Sequence, residues 1–175
     1  MSRSPSTRSR ANVAQVDFGY AGKLGEHVPP IEAGDRTMLP RIDDSRWPIV
    51  RIAYGDVITF EEISELSGSL QRIFETKGAL AMVVDIGAVK ATALTALHRK
   101  RLAEESDRLA AMGAFLAEAV IVPNPILRAV FAGYTWACKP KGYPSRAFND
   151  FAAAFSWARE QIESASRAPA LRREP

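Results

Sequence analysis

Residues 79–86, Ala-Leu-Ala-Met-Val-Val-Asp-Ile, form a short and nearly uninterrupted apolar run with Gly78 before it and Gly87 after it. A run of that kind suits a strand covered on both faces, as in a parallel sheet packed between helices. The rest of the chain repeats the alternation that this run begins.

Such a sheet needs a core, and 175 residues with 47% apolar content are enough for one domain with ends to spare. The formal charge of +3 belongs to those ends. Residues 1–46 carry seven basic and six acidic groups, 164–175 carry three and one, and 47–163 carry thirteen of each. A neutral folded part lacks the clustered Lys and Arg of a nucleic-acid footprint, so no nucleic-acid partner is expected. The single cysteine, Cys138, excludes an intramolecular disulfide and a cysteine-based zinc site. It reads as a small apolar residue on a helix rather than a nucleophile. No window approaches the roughly 20 apolar residues of a membrane span, and the first residues show no apolar signal region. These features predict a cytosolic protein with no transmembrane segment.

Residues 1–10 alternate Ser and Arg around a Pro, and glycines and prolines recur from 11 to 46 without lasting periodicity. Composition of this kind does not bury enough surface to offset the entropy of ordering, so residues 1–44 are expected to form a disordered arm. A transit peptide is suggested by the early Arg and Ser but disfavoured by Asp17, Glu26 and Glu32. The folded domain is expected over 45–163, with a disordered tail over 164–175.

Val50, Ile52 and Tyr54 alternate with Ile49, Arg51 and Ala53 in a predicted first strand that Gly55-Asp56 ends. Thr59 followed by Glu62 is a capping box, and Ile58 with Ile63 is the matching hydrophobic staple. Ile63, Leu66, Leu70, Ile73 and Phe74 share one face of the helix so started. Gly78 is predicted to stop it in the left-handed conformation. After the 79–86 strand, residues 93–112 are predicted helical, with His98, Arg101 and Glu105 interrupting the stripe of Leu94, Leu97, Leu102, Leu109 and Met112. Either this helix is partly buried, with Arg101 and Glu105 paired at i,i+4, or its face meets a partner. The basic run 98–101 reads as a solvated turn rather than a phosphate site, since Glu104, Glu105 and Asp107 follow.

Residues 115–122 read as a third strand with a continuous apolar end, Ala119-Val120-Ile121-Val122. Asn124 and Pro125 supply an N-cap and a first helical position. The helix from there to Cys138 is apolar all round, so it is either deeply buried or touches something else. Lys139-Pro140 and Tyr143-Pro144 bracket a loop before a short last strand, Ser145–Phe148. Asn149 is expected to cap a final helix with Phe151, Ala154, Phe155, Ala158 and Ile162 inward. The order βαβαβαβα predicts the α/β class, a small, mainly parallel sheet with helices packed on it.

Four segments together resemble a known family. Asp43-Asp44-Ser45-Arg46-Trp47-Pro48-Ile49-Val50 leads to Gly55, and Val83-Val84-Asp85 follows. Then come Ala119-Val120-Ile121-Val122-Pro123-Asn124-Pro125-Ile126-Leu127-Arg128 and Phe148 with Ala154-Phe155-Ser156-Trp157. In order and spacing this resembles the STAS-like or CRAL-TRIO-like bacterial domains related to anti-sigma-factor antagonists. The likeness covers residues 43–162. It implies a small non-enzymatic α/β module that binds a partner protein or an apolar ligand. In the phosphorylated antagonists a Ser or Thr stands at the start of the helix after the Asp-bearing strand. Ala91-Thr92-Ala93-Leu94-Thr95 occupies that place here, without the Asp-Ser-Ser-Gly type of signature. The resemblance makes Thr92 and Thr95 candidate phosphoacceptors, at a helix N-terminus that favours phosphate. The plainer reading is that either one caps the helix.

No Gly-x-Gly-x-x-Gly follows a strand, and neither a Walker loop nor a Gly-x-Ser-x-Gly elbow occurs. His27 in the arm and His98 on a helix do not assemble a triad or a histidine metal site. No catalytic residue, cofactor or metal is therefore expected. Asp85 ends a central strand, where ligands gather in open α/β sheets, but reads first as an acceptor for loop N–H groups. The leading expectation is a protein-interaction or signalling module of STAS type, and the second is a carrier or sensor of a lipid or other apolar small molecule. Parallel strands deliver their following loops to one edge of the sheet. This makes Asp85, Thr92, Thr95, Asn124 and Arg128 the partner-binding candidates, with Arg128 offering charge to an acidic partner; the alternative is that these loops are ordinary connectors. A closed apolar cavity beneath the helix starting at Pro125 would favour the carrier, and a flat exposed apolar face the interaction module.

Overall fold

The computed structural model describes residues 40–137 and 142–167. Cys138, Lys139-Pro140, most of the expected arm and the tail from residue 168 lie outside these. Five strands form one sheet in sequential order: β1 (Arg41–Arg46), β2 (Ile49–Ala53), β3 (Leu80–Asp85), β4 (Phe115–Ile121) and β5 (Ser145–Phe148). β2 to β5 are parallel, and β1 pairs antiparallel with β2. β1 corrects the sequence reading, which placed residues 41–44 in the arm. Its sequence carries one apolar residue, Ile42, opposite Ile52. What orders it is backbone pairing to β2, the bond from Ser45 N–H to Asp43 Oδ1 at 2.9 Å and the Lys77–Asp44 bridge at 2.7 Å. None of these leaves a hydrophobic pattern.

Among the described residues the helices are α1 (Phe60–Lys77), α2 (Ala96–Ala111), α3 (Pro125–Ala137) and α4 (Phe151–Arg167), with a 3-10 turn at Ala91–Ala93. At the start of α1, Thr59 Oγ1 accepts from Glu62 N–H at 3.1 Å and Glu62 Oε2 accepts from Thr59 N–H at 2.7 Å. Ile58 and Ile63 are both buried beside this box. Gly78 ends α1 with φ 100° and ψ −164°, and its N–H donates to Phe74 O at 2.8 Å. That is a positive φ, as expected, but not the left-handed helical well. α2 starts later than residue 93 because Thr95 is its N-cap. The cap of α4 is Asp150, whose Oδ1 accepts from Ala153 N–H at 2.9 Å, rather than Asn149. α4 continues through 164–167, which the sequence assigned to the tail.

Three successive crossovers step the same way along the sheet, and a single hand of crossover puts their helices on one face. There, residues of α1, α2 and α3 pack on Val50, Ile52, Leu80, Met82 and Val120. α4 follows the last strand and covers the other face, where Ala154, Ala158 and Ile162 meet Ala81, Val83, Ala117 and Ala119. Alanine on both sides lets that helix sit close to the sheet. β4 carries one irregularity: Leu80 pairs with Phe115, but Ala81 pairs with Ala117, so Leu116 is an extra residue. The bulge shifts the alternation by one. Glu118 and Val120 therefore join Phe115 on the side of α1 and α2.

Candidate functional site

Between α1 and α2 the core does not close. At their starts the helices meet through Phe60 stacked on His98, with ring centroids 4.5 Å apart and planes 9° from parallel. Further along they are joined by polar groups. The Ser67 hydroxyl donates to Glu105 Oε2 at 2.6 Å, and Arg108 donates to Ser67 Oγ, Gln71 Oε1 and Glu105 Oε2 at 2.7, 2.8 and 3.0 Å. Arg101 holds the other Glu105 oxygen at 3.0 Å, the i,i+4 pair that the sequence predicts. The Ser67 hydroxyl lowers the Glu105 pKa below its ordinary value; burial opposes this, and Arg108 and Arg101 add to the lowering. Beneath this bridge lies a cavity of about 120 Å³.

Its walls are Ile52, Met82, Val84 and Val120 from the sheet, Leu66 and Leu70 from α1, and Leu102 and Leu109 from α2. Phe131 adds one side chain from α3; the opening lies between α1, α2 and the sheet and is not the closed cavity beneath α3 that would have favoured a carrier. Few polar groups share the lining. Tyr54 is held in its neutral form, because burial raises its pKa and the carboxylates of Glu118 and Glu62 add to that. Glu118 is 8% exposed, and its Oε2 accepts from the Ser145 hydroxyl on the neighbouring strand at 2.7 Å. Arg99, in the first turn of α2, donates from Nη1 to Leu94 O at 2.6 Å. Among the described residues no carboxylate pairs with Arg99.

The residues singled out in the sequence lie elsewhere, at the carboxyl edge of the parallel strands. Asp85 Oδ1 accepts from Gly87 N–H at 2.9 Å, the loop-ordering role expected of it. A Cβ on Gly87 would stand 3.1 Å from both Asp85 Oδ1 and Pro123 Cγ, so the loops after β3 and β4 touch where only glycine fits easily. Thr92 is exposed on the 3-10 turn, which lies beside α3. Thr95 Oγ1 accepts from His98 N–H at 3.3 Å and is hydrogen-bonded to His98 Nδ1 at 2.7 Å. No side chain bonds to His98 Nε2 among the described residues, so the pair has the geometry of a cap and lacks the orienting third group of a nucleophile and base. Asn124 Oδ1 accepts from Ile126 N–H at 2.8 Å, also as a cap. Arg128 is partly buried and turned back on its own strand, with Nη2 donating to Val122 O at 2.9 Å.

The structure thus brings the predicted residues to one edge but ties all except the exposed Thr92 into local hydrogen bonds, and the cavity opens among three residues that the sequence did not single out. Tyr54 read as the apolar face of a strand. Glu118 had a visible signal, a lone carboxylate in an apolar strand, but its direction depends on the bulge. Arg99 was hidden in a basic run assigned to solvent. Among the described residues no cluster of three or more His, Cys, Asp or Glu is placed to hold a metal ion. Among the described residues no helix is long and apolar enough to cross a membrane. Compared with known proteins, the chain matches no family model and no curated protein.

Proposed function

We propose that this domain is a non-enzymatic cytosolic module that holds an apolar small molecule between α1, α2 and the sheet. The cavity carries this reading. Protein interiors pack as densely as organic crystals, and the apolar side chains around this opening lack neighbours on one side, which a ligand can supply. A volume on the order of 150 Å³ accepts benzene, which sets the scale at one ring or about six carbons. The resemblance to STAS-like and CRAL-TRIO-like domains agrees with a binding role, as does the mainly parallel sheet with helices on both faces. Titration of the full chain with hexan-1-ol, followed by methyl NMR, is expected to give saturable shifts confined to lining residues such as Leu109 and Val120. Absence of any saturable shift with hexan-1-ol and with hexanoate alike would overturn the reading.

A protein-interaction module of STAS type is the second reading, and one observation favours it. Leu97 and Ile126 are 61% and 67% exposed in the first turns of α2 and α3, close in sequence to Thr95 and Asn124. Large apolar side chains at that edge suit a partner protein. On this reading Thr95→Glu and Arg128→Glu weaken association with a partner recovered from cells, whereas Glu75→Lys, near the far end of α1, does not. Unchanged association in both edge variants, each shown to be folded, would remove that edge.

A further inference from the structure

We infer that the cavity's ligand is an apolar carboxylate, a short acyl or aryl acid whose carboxylate is bound by Arg99; this rests on the cavity reading above. The charges around the lining differ in how they are satisfied. Glu105 already has Arg101 and Arg108, each at 3.0 Å, as well as the Ser67 hydroxyl. Glu118 already takes the Ser145 hydroxyl. Arg99 is partly buried, and its bond to the Leu94 carbonyl employs one guanidinium nitrogen and supplies no opposite charge.

That bond restrains the side chain without neutralising it, which lowers the entropy lost when a ligand is gripped. The donors left on the guanidinium lie in one plane, the geometry that matches a carboxylate. Arg99 also stands in the first turn of α2, where the helix dipole favours an anion. A neutral alcohol would fill the apolar space but leave the partly buried charge unpaired. A cationic head would meet Glu105 and Glu118, which already hold two arginines and the Ser145 hydroxyl respectively, and would leave Arg99 without an opposite charge. A dianionic phosphate would feel twice the repulsion of a carboxylate from Glu105 and Glu118, against the same single guanidinium. A singly charged planar head fits best.

The test uses calorimetric titration of the full chain at neutral pH with three six-carbon probes: hexanoate, hexan-1-ol and hexylammonium. Hexanoate is expected to bind at least about tenfold more tightly than hexan-1-ol, as a charge-assisted bond to a restrained guanidinium allows, with hexylammonium weakest. Arg99→Gln should remove the advantage of hexanoate over hexan-1-ol, lowering hexanoate affinity by at least about tenfold more than that of hexan-1-ol, and Arg99→Lys should restore part of the difference. Equal affinities of the wild type for hexanoate and hexan-1-ol would overturn the inference and leave the cavity reading standing, as would an equal loss for all three probes in Arg99→Gln. Failure of both hexan-1-ol and hexanoate to bind would overturn both. If Arg99→Gln does not fold, the order of the three probes on the wild type decides.

Discussion

Thr59 secures the start of α1 through its side chain and its backbone together. Its hydroxyl accepts from Glu62 N–H, and its own N–H is taken by the Glu62 carboxylate. Thr59→Ala removes the first bond and is expected to cost about 1 kcal/mol, read as a lower urea midpoint at unchanged slope. Glu105 acts at the same scale but depends on pH. Its folded pKa lies below the ordinary 4.5, first because of Ser67 and then because of Arg108 and Arg101. The ionised form is therefore favoured by folding. Its contribution is full above the unfolded value and is lost as pH falls through the lowered one. Glu105→Gln should accordingly reduce stability at neutral pH and flatten its decline in that acid range. Equal slopes against pH for variant and wild type would show that the bridge does not stabilise the fold through that charge.

At the scale of elements, what could be read from the chain was whatever depends on neighbours in sequence. The box at Thr59, the stripe from Ile63 to Phe74, the run that became β3 and the short strand Ser145–Phe148 all match the described structure. β1 could not be read in the same way, since its order comes from β2 and Lys77 rather than from its own residues. Nor could the direction of Glu118, because one extra residue at Leu116 reverses which side chains of β4 face α1 and α2. Arg99 shows a third kind of limit: its charge was visible, but the cavity beside it arises from the packing of several elements. Gly78 is where local and element scales meet. At φ 100° a Cβ is strained, so Gly78→Ala should destabilise by more than about 1 kcal/mol in thermal or urea unfolding. A neutral result would mean that the chain leaves α1 along another path.

Across the whole molecule the two faces of one sheet are packed on different terms. Under α4 five alanines, Ala81, Ala117, Ala119, Ala154 and Ala158, are all fully buried, beside Val83 and Ile162. Under α1 and α2 the side chains are larger, yet they leave the cavity. Ala119 and Val120 sit next to each other on β4 and point to opposite faces, so they report on the two sides with the least other difference. Ala119→Val adds volume where α4 lies close, and overpacking of that kind should cost about 1–3 kcal/mol. Val120→Leu adds a methylene toward open space and should stabilise the free protein by about 0.5–1 kcal/mol, the lower part of the usual range for cavity filling. The same substitution should weaken hexan-1-ol binding, because the ligand and the added carbon compete for one volume. Urea denaturation of both variants, with a hexan-1-ol titration of the second, tests the pair. If Val120→Leu destabilises as Ala119→Val does, the space beneath α1 and α2 does not accept even one added carbon, and the proposed ligand loses its room.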